Sequence, residues 1–373
     1  MDVERELERF DAEVPIDQAA TPPASWYVEP AFAALERTRV FRDTWHFACR
    51  ADQVARPGAC VSIDVLGDPY LVVRDEAGVL RAFHNTCRHH ATPLIDGEAL
   101  CTADEGLVCP YHGWRYALDG SLKSAPHAAG LSGLRQKELG LVQIAVETWG
   151  PLVFVHAGEP KRRVAEELAD LAPFLDADEL ARLTWVARGR YSMKCNWKVF
   201  VDNYLDGGYH IAHVHGNLAG QLALDGYTTT LLARSNVQTC APSAELSSDV
   251  ARAGELAGRI GDGATYAWLY PNLMLNRYGR MLDTNLVLPI SPDHCEVVFD
   301  YWFDGDPEEP EARAFLDATI ANSDVTQKED VWISEQVQRG LGSRGYDRGR
   351  YAPKVEHAMH HFHRLLAADL RAG

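Results

Sequence analysis

The segment CRHHATPLIDGEALCTADEGLVCPYHGW, residues 87–114, places three cysteines and three histidines within 28 positions. It contains two closely spaced pairs, Cys87-x-His89 and Cys109-x-x-His112, with 19 residues between them. Each pair forms a tight loop that directs two side chains toward one point, so two facing loops offer two thiolates and two imidazoles to a metal. The other residues of metal-binding type in this region are expected to be structural: His84, His90 and Cys101.

Two kinds of metal centre fit this set of four ligands. The first is a tetrahedral zinc site, which accepts both thiolates and imidazoles. The second is a two-iron cluster in which cysteines ligate one iron and histidines the other, which raises the reduction potential. Ligand number alone leaves both possibilities open.

The residues around this segment predict a small antiparallel β domain. Short apolar runs alternate with Gly-containing turns between residues 46 and 159, as in CVSIDVLGDPYLVVRDEAGVLRAF (60–83) and GPLVFVHAG (150–158). Residues 1–45 favour helices, and residues 160–373 mix strands with longer helical stretches. The chain is therefore expected to be an α+β protein with a helical N-terminal segment, a β domain and a larger mixed domain.

Composition and charge favour a cytoplasmic enzyme. The 373 residues include 53 Asp and Glu against 36 Lys and Arg, and a net charge of -17 disfavours nucleic acid or an anionic membrane as a partner. No apolar run approaches the length of a membrane span, and the acidic start resembles no targeting segment. Eight cysteines are too sparse for a disulfide scaffold, so we expect reduced thiols, some of them metal ligands.

The Cys-Pro-Tyr-His-Gly-Trp sequence at 109–114, together with the earlier Cys-x-His pair, resembles the Rieske iron–sulfur motif. Trp114 matches the aromatic residue that follows the second His of the motif, whereas His90-Ala91 stands where Arg-Gly is common. The resemblance implies a Rieske 2Fe-2S cluster. The positions of the four cluster ligands are matched one by one, by Cys87, His89, Cys109 and His112.

A second segment, CNWKVFVDNYLDGGYHIAHVHGN (195–217), resembles the mononuclear-iron segment of Rieske non-haem iron oxygenases. The resemblance implies His210 and His215 as the two histidine ligands of a mononuclear Fe(II). Asp330, in QKEDVWISEQVQRG (327–340), matches the third ligand, a carboxylate. Two histidines and one carboxylate leave coordination sites open, as in Fe(II) oxygenases.

Helix geometry restricts how these histidines meet. On one continuous α-helix, His210 and His215 would point about 140° apart. The helix must therefore end or bulge before His215, and Gly216 follows as a residue that can stop it. His213 shares a helix face with His210 and is the competing ligand.

Oxygenases of this family commonly carry an acid three residues before the first His, which conducts the electron across a subunit interface. Here that position is Gly207, and Asp206 lies four residues before His210. Residues four apart share a helix face, so Asp206 is predicted to take this role, with Asp202 as the next candidate.

The double glycine in DNYLDGGYH (202–210) resembles choline monooxygenase and its bacterial relatives more than ring-hydroxylating dioxygenases. The implied function is that of a terminal oxygenase, which uses O2 to hydroxylate a small quaternary or methylated amine. The alternative is the alpha subunit of an aromatic-ring-hydroxylating dioxygenase. An electron-transfer or metal-storage protein without chemistry is also considered, but a complete set of iron ligands weighs against it.

Aromatic faces hold quaternary ammonium groups, and one strand supplies candidates for such a pocket. Tyr266, Trp268 and Tyr270 alternate in TYAWLY (265–270) and therefore share a strand face, and Tyr278 is a fourth candidate. The competing interpretation is a core stripe of the sheet.

The resemblance also implies the assembly and the electron source. GLGSRG (340–345) follows a helix instead of a strand, so it predicts no dinucleotide site, and electrons must come from a separate NAD(P)H-dependent reductase or a ferredoxin. We expect a head-to-tail homotrimer. The expected fold is a Rieske β domain (46–159) and a helix-grip, START-like catalytic domain with an antiparallel sheet (160–373), on which residues 1–45 pack.

Overall fold

A computed structural model of the chain describes residues 2–65, 67–128, 136–215, 222–242 and 263–372. The chain forms two compact units. The larger unit combines Met1–Val40 with Leu168–Gly373, and the smaller unit is Phe41–Glu167. None of the described helices combines the length and the apolar character that crossing a membrane requires.

The smaller unit extends beyond the predicted boundaries at residues 45 and 159, because the segments at its two ends bind to it. The indole Nε1 of Trp45 donates to the carbonyl of Arg162 at 3.0 Å. The backbone N–H of Val164 donates to the Glu147 carboxylate, also at 3.0 Å. Trp45 and Arg162 both lie just outside the predicted limits, and Val164 binds to Glu147 across the predicted limit at residue 159.

The smaller unit contains two antiparallel sheets, as its apolar runs predict. A sheet of seven strands has the order β1-β10-β9-β4-β3-β2-β5, and a sheet of three has the order β6-β7-β8. The strands are β1 His46–Arg50, β2 Ala59–Val65, β3 Asp68–Arg74, β4 Leu80–His84, β5 Glu98–Leu100, β6 Leu107–Val108, β7 Arg115–Tyr116, β8 Leu122–Ser124, β9 Gln143–Trp149 and β10 Leu152–His156.

These two sheets position the Cys/His loops. Cys87 follows β4, and Cys109 lies in the connection between β6 and β7. Both cysteines belong to one apolar core, in which Leu107, Trp114 and Tyr116 are also buried. The core therefore holds the thiol end of each loop.

The larger unit contains a second antiparallel sheet of seven strands, in the order β11-β17-β16-β15-β14-β13-β12. Neighbours in chain order pair with each other from β12 to β17, and β11 pairs with β17. The strands are β11 Thr184–Met193, β12 Thr228–Leu231, β13 Ser235–Cys240, β14 Ala264–Leu269, β15 Leu273–Tyr278, β16 Met281–Ser291 and β17 His294–Phe303.

Helices of this unit pack on that sheet, and with it they form the α+β fold that the sequence predicts. The long helix Pro310–Leu341 packs on β11 and on the helix Trp197–Tyr204. The buried ammonium of Lys198 pairs with Glu36 at 2.5 Å, which binds the N-terminal segment to the same helix. The remaining α-helices of the described chain are Val3–Glu8, Ser25–Val28, Pro30–Glu36, Val164–Glu167, Ala177–Leu180, Ile211–Val214 and His357–Arg371. Shorter helical turns lie at Arg37–Phe41, Ala51–Val54, Gln136–Leu139, Ala169–Leu171 and Leu224–Gly226.

The stretch from 196 to 215 forms two helices separated by a turn. The first ends at Tyr204 and the second begins at Ile211. Gly207 has a φ of +72°, and a Cβ there would lie 2.3 Å from the carbonyl oxygen of Val355. Only glycine fits such a position without strain, so the glycines of this segment end the first helix well before His215.

Candidate metal centres

The two Cys/His loops of the smaller unit are closed by their own backbones. The N–H of Ala91 donates to Cys87 at 3.0 Å, and the N–H of Gly113 donates to Cys109 at 3.1 Å. Each bond turns the chain sharply after the cysteine. The histidine of each pair is thereby brought back beside its cysteine.

The four predicted cluster ligands divide into a buried and an exposed pair. Cys87 and Cys109 are 2% and 3% exposed, whereas both histidines are exposed. The rings of His89 and His112 lie 4.7 Å apart, and His89 stacks on Trp114 at 4.8 Å with 5° between the planes. The arrangement fits a group that meets thiolates on the core side and imidazoles at the surface.

Hydrogen bonds prepare the thiol side for a metal. The Tyr116 hydroxyl lies 3.4 Å from the Cys87 sulfur. Although burial raises the pKa of Cys87, the hydrogen bonds from Tyr116 and from the loop backbone lower it below its ordinary value. Since the thiolate is the form that ligates a metal, these contacts favour the ligating state.

The surplus residues of this region have local contacts. His84 packs edge-on against Tyr70, with the ring centroids 5.4 Å apart. The Cys101 sulfur lies 3.7 Å from that of Cys60, and the exposed His90 packs against His89 with centroids 4.0 Å apart. The ring of His90 also lies 5.6 Å from that of His112, so this residue borders the predicted ligands.

Ala91, which stands where this motif commonly has glycine, has a φ of +60°. A left-handed backbone costs a non-glycine residue about 1–2 kcal/mol. We therefore expect Ala91→Gly to stabilise the cluster-loaded protein by about 0.5–1 kcal/mol, after the added entropy of the unfolded chain is subtracted. A higher thermal unfolding midpoint is the readout. Ala99→Gly within β5, where φ is negative, is the control and should lower the midpoint. A lower midpoint in both variants would show that Ala91 is not strained.

In the larger unit, three predicted ligands converge. The Nε2 atoms of His210 and His215 are 3.1 Å apart. The Asp330 Oδ1 lies 3.1 Å from the Nε2 of His215 and 3.8 Å from that of His210. One ligand atom from each of these three side chains lies within 4.8 Å of the others, close enough for all three to bind a single metal ion.

Further contacts orient the three side chains toward their common point. The Nδ1 atoms of His210 and His215 lie 2.7 Å from the carboxylates of Asp206 and Glu329, respectively. A proton on each Nδ1 leaves both Nε2 lone pairs free for a metal. Asn203 donates to Asp330 Oδ1 at 2.8 Å. Sequence reasoning missed Asn203 and Glu329, although Glu329 is the first member of the acidic pair that contains Asp330.

The electrostatics of this site also favour a cation. Burial lowers the pKa of His215, but hydrogen bonds and charge from Asp330 and Glu329 raise it above its ordinary value overall. The same negative charge that stabilises an imidazolium stabilises a bound metal ion. The donor set, two imidazoles and a carboxylate, fits a mononuclear iron.

The structure corrects the geometric reasoning about Asp206. Asp206 and His210 do not share a helix face, because the turn with Gly207 lies between them. The Asp206 carboxylate accepts the backbone N–H groups of Tyr209 and His210, at 3.0 and 2.9 Å, as well as the imidazole. The carboxylate therefore folds back over the turn and fixes the first histidine.

His215 lies at the end of the helix Ile211–Val214 and has left helical geometry, with φ −108° and ψ 79°. The break that the ligand geometry requires is therefore present. Gly216, expected to stop the helix, lies outside the described residues. His213 is exposed and lies in a surface groove with Trp332 and Val325, so the structure does not bring it to the other ligands.

A cavity of about 130 Å³ opens beside the three ligands. Its walls combine aromatic rings with buried amides and carboxylates. Two of the four predicted aromatic residues, Tyr266 and Tyr278, line it. Aromatic residues that sequence reasoning missed also contribute to its walls: Phe200, Tyr204, Tyr227 and Phe299.

The other two candidate aromatic residues, Trp268 and Tyr270, are not among the residues that line this cavity. Trp268 is fully buried and packs edge-on against Phe362 of the C-terminal helix, with centroids 5.4 Å apart. Tyr270 lies beyond the end of β14 and stacks under the guanidinium of Arg234 at 4.3 Å. The cavity occupies one end of this strand face, and the C-terminal helix packs against the rest.

Comparison with known proteins finds a family for each of the two parts of the chain that contain these residues. The family described as "Rieske [2Fe-2S] domain" matches residues 44–139, and "Ring hydroxylating alpha subunit (catalytic domain)" matches residues 180–372. Choline monooxygenase, chloroplastic, of Arabidopsis thaliana is 39% identical over 390 residues, which cover 99% of this chain and 87% of that protein.

A more distant relative is the carnitine monooxygenase oxygenase subunit of Escherichia coli (strain K12). It is 28% identical over 365 residues, 94% of each chain. A crystal structure of a quaternary ammonium Rieske monooxygenase in complex with L-carnitine has the same fold, with a TM-score of 0.80, 24% identity, and coverage of 95% of this chain and 97% of that one. The protein described here belongs to the family of Rieske oxygenase alpha subunits, oxidoreductases that use O2 and hold a Rieske 2Fe-2S cluster and a mononuclear iron.

Proposed function

We propose that this protein is the terminal oxygenase of a Rieske monooxygenase system that hydroxylates a small quaternary or methylated amine. The observation that carries the proposal is the position of the cavity. Its tyrosine-rich wall lies directly beside His210, His215 and Asp330. A substrate held by this wall would present a C–H bond to the three-ligand site.

We propose Cys87, His89, Cys109 and His112 as the residues that hold the cluster, and His210, His215 and Asp330 as those that hold the mononuclear iron. When bound, these groups supply electron storage and O2 activation. The protein's own part is orientation and electrostatics. Asp206 and Glu329 keep the proton of each histidine on Nδ1, so each Nε2 faces the metal position.

Aromatic faces attract a quaternary ammonium through the ring quadrupole. The rings of Tyr227 and Tyr266 are nearly parallel, 13° apart in angle, with centroids separated by 6.3 Å. Burial raises the pKa of Tyr204 and Tyr227 well above 10, so these phenols stay neutral. The names of the relatives, choline and carnitine monooxygenases, agree with a cation of this class.

Binding of the substrate cation should depend on individual aromatic rings of the cavity wall. We expect Tyr266→Leu to weaken binding of a quaternary ammonium substrate by several-fold to about thirtyfold, because one cation–π contact contributes roughly 0.5–2 kcal/mol. The neutral isostere, with carbon in place of nitrogen, should lose much less. Trp268→Leu is no control, because it opens the core, whereas Tyr346→Leu removes an exposed ring away from the cavity and should leave both affinities unchanged. Equal losses for cation and isostere would mean that Tyr266 contributes only apolar contact.

Electrons must come from outside the chain, and we propose a separate NAD(P)H-dependent reductase or a ferredoxin as the donor. We also propose a head-to-tail homotrimer in which Asp206 links each mononuclear site to the cluster of a neighbouring subunit. Asp206 lines a second cavity, of about 240 Å³, together with Asp202 and Glu356, which gives the carboxylate a route to a partner. We also propose a reducing compartment such as the cytoplasm, because eight cysteines in 373 residues are too sparse for a disulfide scaffold.

A substrate panel tests the proposal. The holoenzyme, supplied with electrons by a surrogate reductase, is incubated with choline, carnitine, other methylated amines and neutral aromatics. We expect O2 uptake and a singly oxygenated or demethylated product, seen by mass spectrometry, with a methylated amine. Cis-diol formation from an aromatic ring, without turnover of any amine, would instead assign the chain to the ring-hydroxylating dioxygenases.

A further inference from the structure

The cavity contains a buried carboxylate that is not a candidate metal ligand. Asp283, on β16, is 3% exposed and lines the cavity together with the tyrosines. Asp330 is the other cavity-lining carboxylate among the described residues, and it belongs to the three-ligand site. The role of Asp283 is therefore separate from metal binding.

Three donors hold this carboxylate in one orientation. Asn276 and Asn285 donate amide N–H groups to its Oδ1 at 2.6 and 3.2 Å. The Tyr278 hydroxyl donates to its Oδ2 at 2.6 Å. Hydrogen bonds to a carboxylate favour its ionised form, so these three donors offset the cost of burying a negative charge at the cavity wall.

The same network reaches a second tyrosine of the wall. Tyr204 donates to the Oδ1 of Asn276 at 2.7 Å, which orients the Asn276 amide so that its nitrogen faces Asp283. The negative charge of Asp283 adds to burial in raising the pKa of Tyr204. The charge and the ring faces are therefore parts of one rigid arrangement.

We propose that Asp283 is a specificity residue, whose buried negative charge selects a permanently cationic substrate over a neutral molecule of the same shape. This inference rests on the proposed function and adds to it. Aromatic faces alone discriminate charge weakly, because a ring quadrupole also accepts an apolar group. A fixed carboxylate at a few ångströms in a partly desolvated site adds a Coulomb attraction that the neutral molecule lacks.

Direct binding to the holoenzyme without reductant measures the selection. Choline and its neutral isostere are titrated calorimetrically into the wild type and into Asp283→Asn. We expect choline to bind the variant about 10- to 100-fold more weakly, with the affinity for the isostere nearly unchanged. Asp304→Asn, the same substitution at an exposed carboxylate, is the control and should change neither affinity.

Two results separate failure of this inference from failure of the proposed function. If Asp283→Asn keeps the full preference of the wild type for choline, Asp283 does not select charge, although the enzyme still prefers cations. If the wild type binds both molecules equally and turns over no amine, the proposed function fails as well.

The spectrum of the Rieske cluster shows whether Asp283→Asn folds. If it does not fold, a second pair of variants is used. Tyr278→Phe removes a hydroxyl that donates to Asp283. Tyr204→Phe also removes a tyrosine hydroxyl, but one that donates to Asn276. Tyr278→Phe should reduce the preference for choline several-fold, and more than Tyr204→Phe does. Equal preferences in the two variants would overturn the assignment.

Discussion

Replacing His210, His215 or Asp330 by Ala is expected to remove the mononuclear iron and to lower turnover by more than about 100-fold. Loss of a residue that only orients a ligand already costs about 10–100-fold in metal affinity or activity, and these three side chains make the contact themselves. The visible spectrum of the Rieske cluster should stay unchanged, because Cys87, His89, Cys109 and His112 lie in the other unit. Iron analysis and O2 uptake measure both effects.

His213→Ala is the matched control for these variants. Its side chain is exposed and lies in a groove with Trp332, and it is not one of the three converging side chains. We expect the variant to keep its iron and its turnover. Iron loss from His213→Ala, with iron retained in His215→Ala, would show that the second histidine ligand has been assigned to the wrong residue.

Asp206→Asn is also expected to cause a large loss of turnover. The carboxylate accepts two backbone N–H groups and the His210 imidazole, and an amide in its place must point a donor at one of these donors. We expect turnover to fall on the order of 10- to 100-fold. After full iron loading, single-turnover assays that start from a reduced cluster should still show slow electron delivery, since the charged acceptor is gone.

Asp202→Asn is the variant to compare with Asp206→Asn, because Asp202 lies four residues earlier and borders the same cavity. Its carboxylate is bound by Tyr27 and His363, at 2.7 and 2.9 Å, whereas the Asp206 carboxylate binds the predicted iron ligand His210. We expect electron delivery close to that of the wild type. Slow delivery in Asp202→Asn and normal delivery in iron-loaded Asp206→Asn would move the electron bridge to Asp202.

The sequence predicts best those structural features whose residues lie close together along the chain. The Cys/His pairs are local loops, so their spacing alone indicates how each cysteine meets its histidine. The seven-residue segment 204–210 contains the double glycine that ends the helix, and the requirement for a break before His215 follows from helix geometry. Asp330 lies far along the chain, and only the resemblance to a family pairs it with these histidines.

The sequence predicts least well where tertiary packing decides. Strand periodicity places Tyr266 and Trp268 on one face. It does not show which part of that face packs against the C-terminal helix and which part borders the cavity. Tyr227 lies beside a short turn with no recognisable pattern, and it reaches the cavity because its ring packs on Tyr266. The Asp283 network joins β15 and β16 through side chains, which no periodicity in either strand indicates.

Metal and sulfide analysis with electron paramagnetic resonance, on anaerobically purified wild type and Cys87→Ser, shows whether one chain holds two different iron centres on two separate sets of residues. We expect three irons and two acid-labile sulfides per wild-type chain, one cluster of two irons and one mononuclear iron, and the low-average-g signal of a His-ligated cluster on reduction. Cys87→Ser should lose the sulfides and that signal while it keeps one iron. Stoichiometric zinc without sulfide in the wild type would show that the Cys/His loops hold no iron–sulfur cluster.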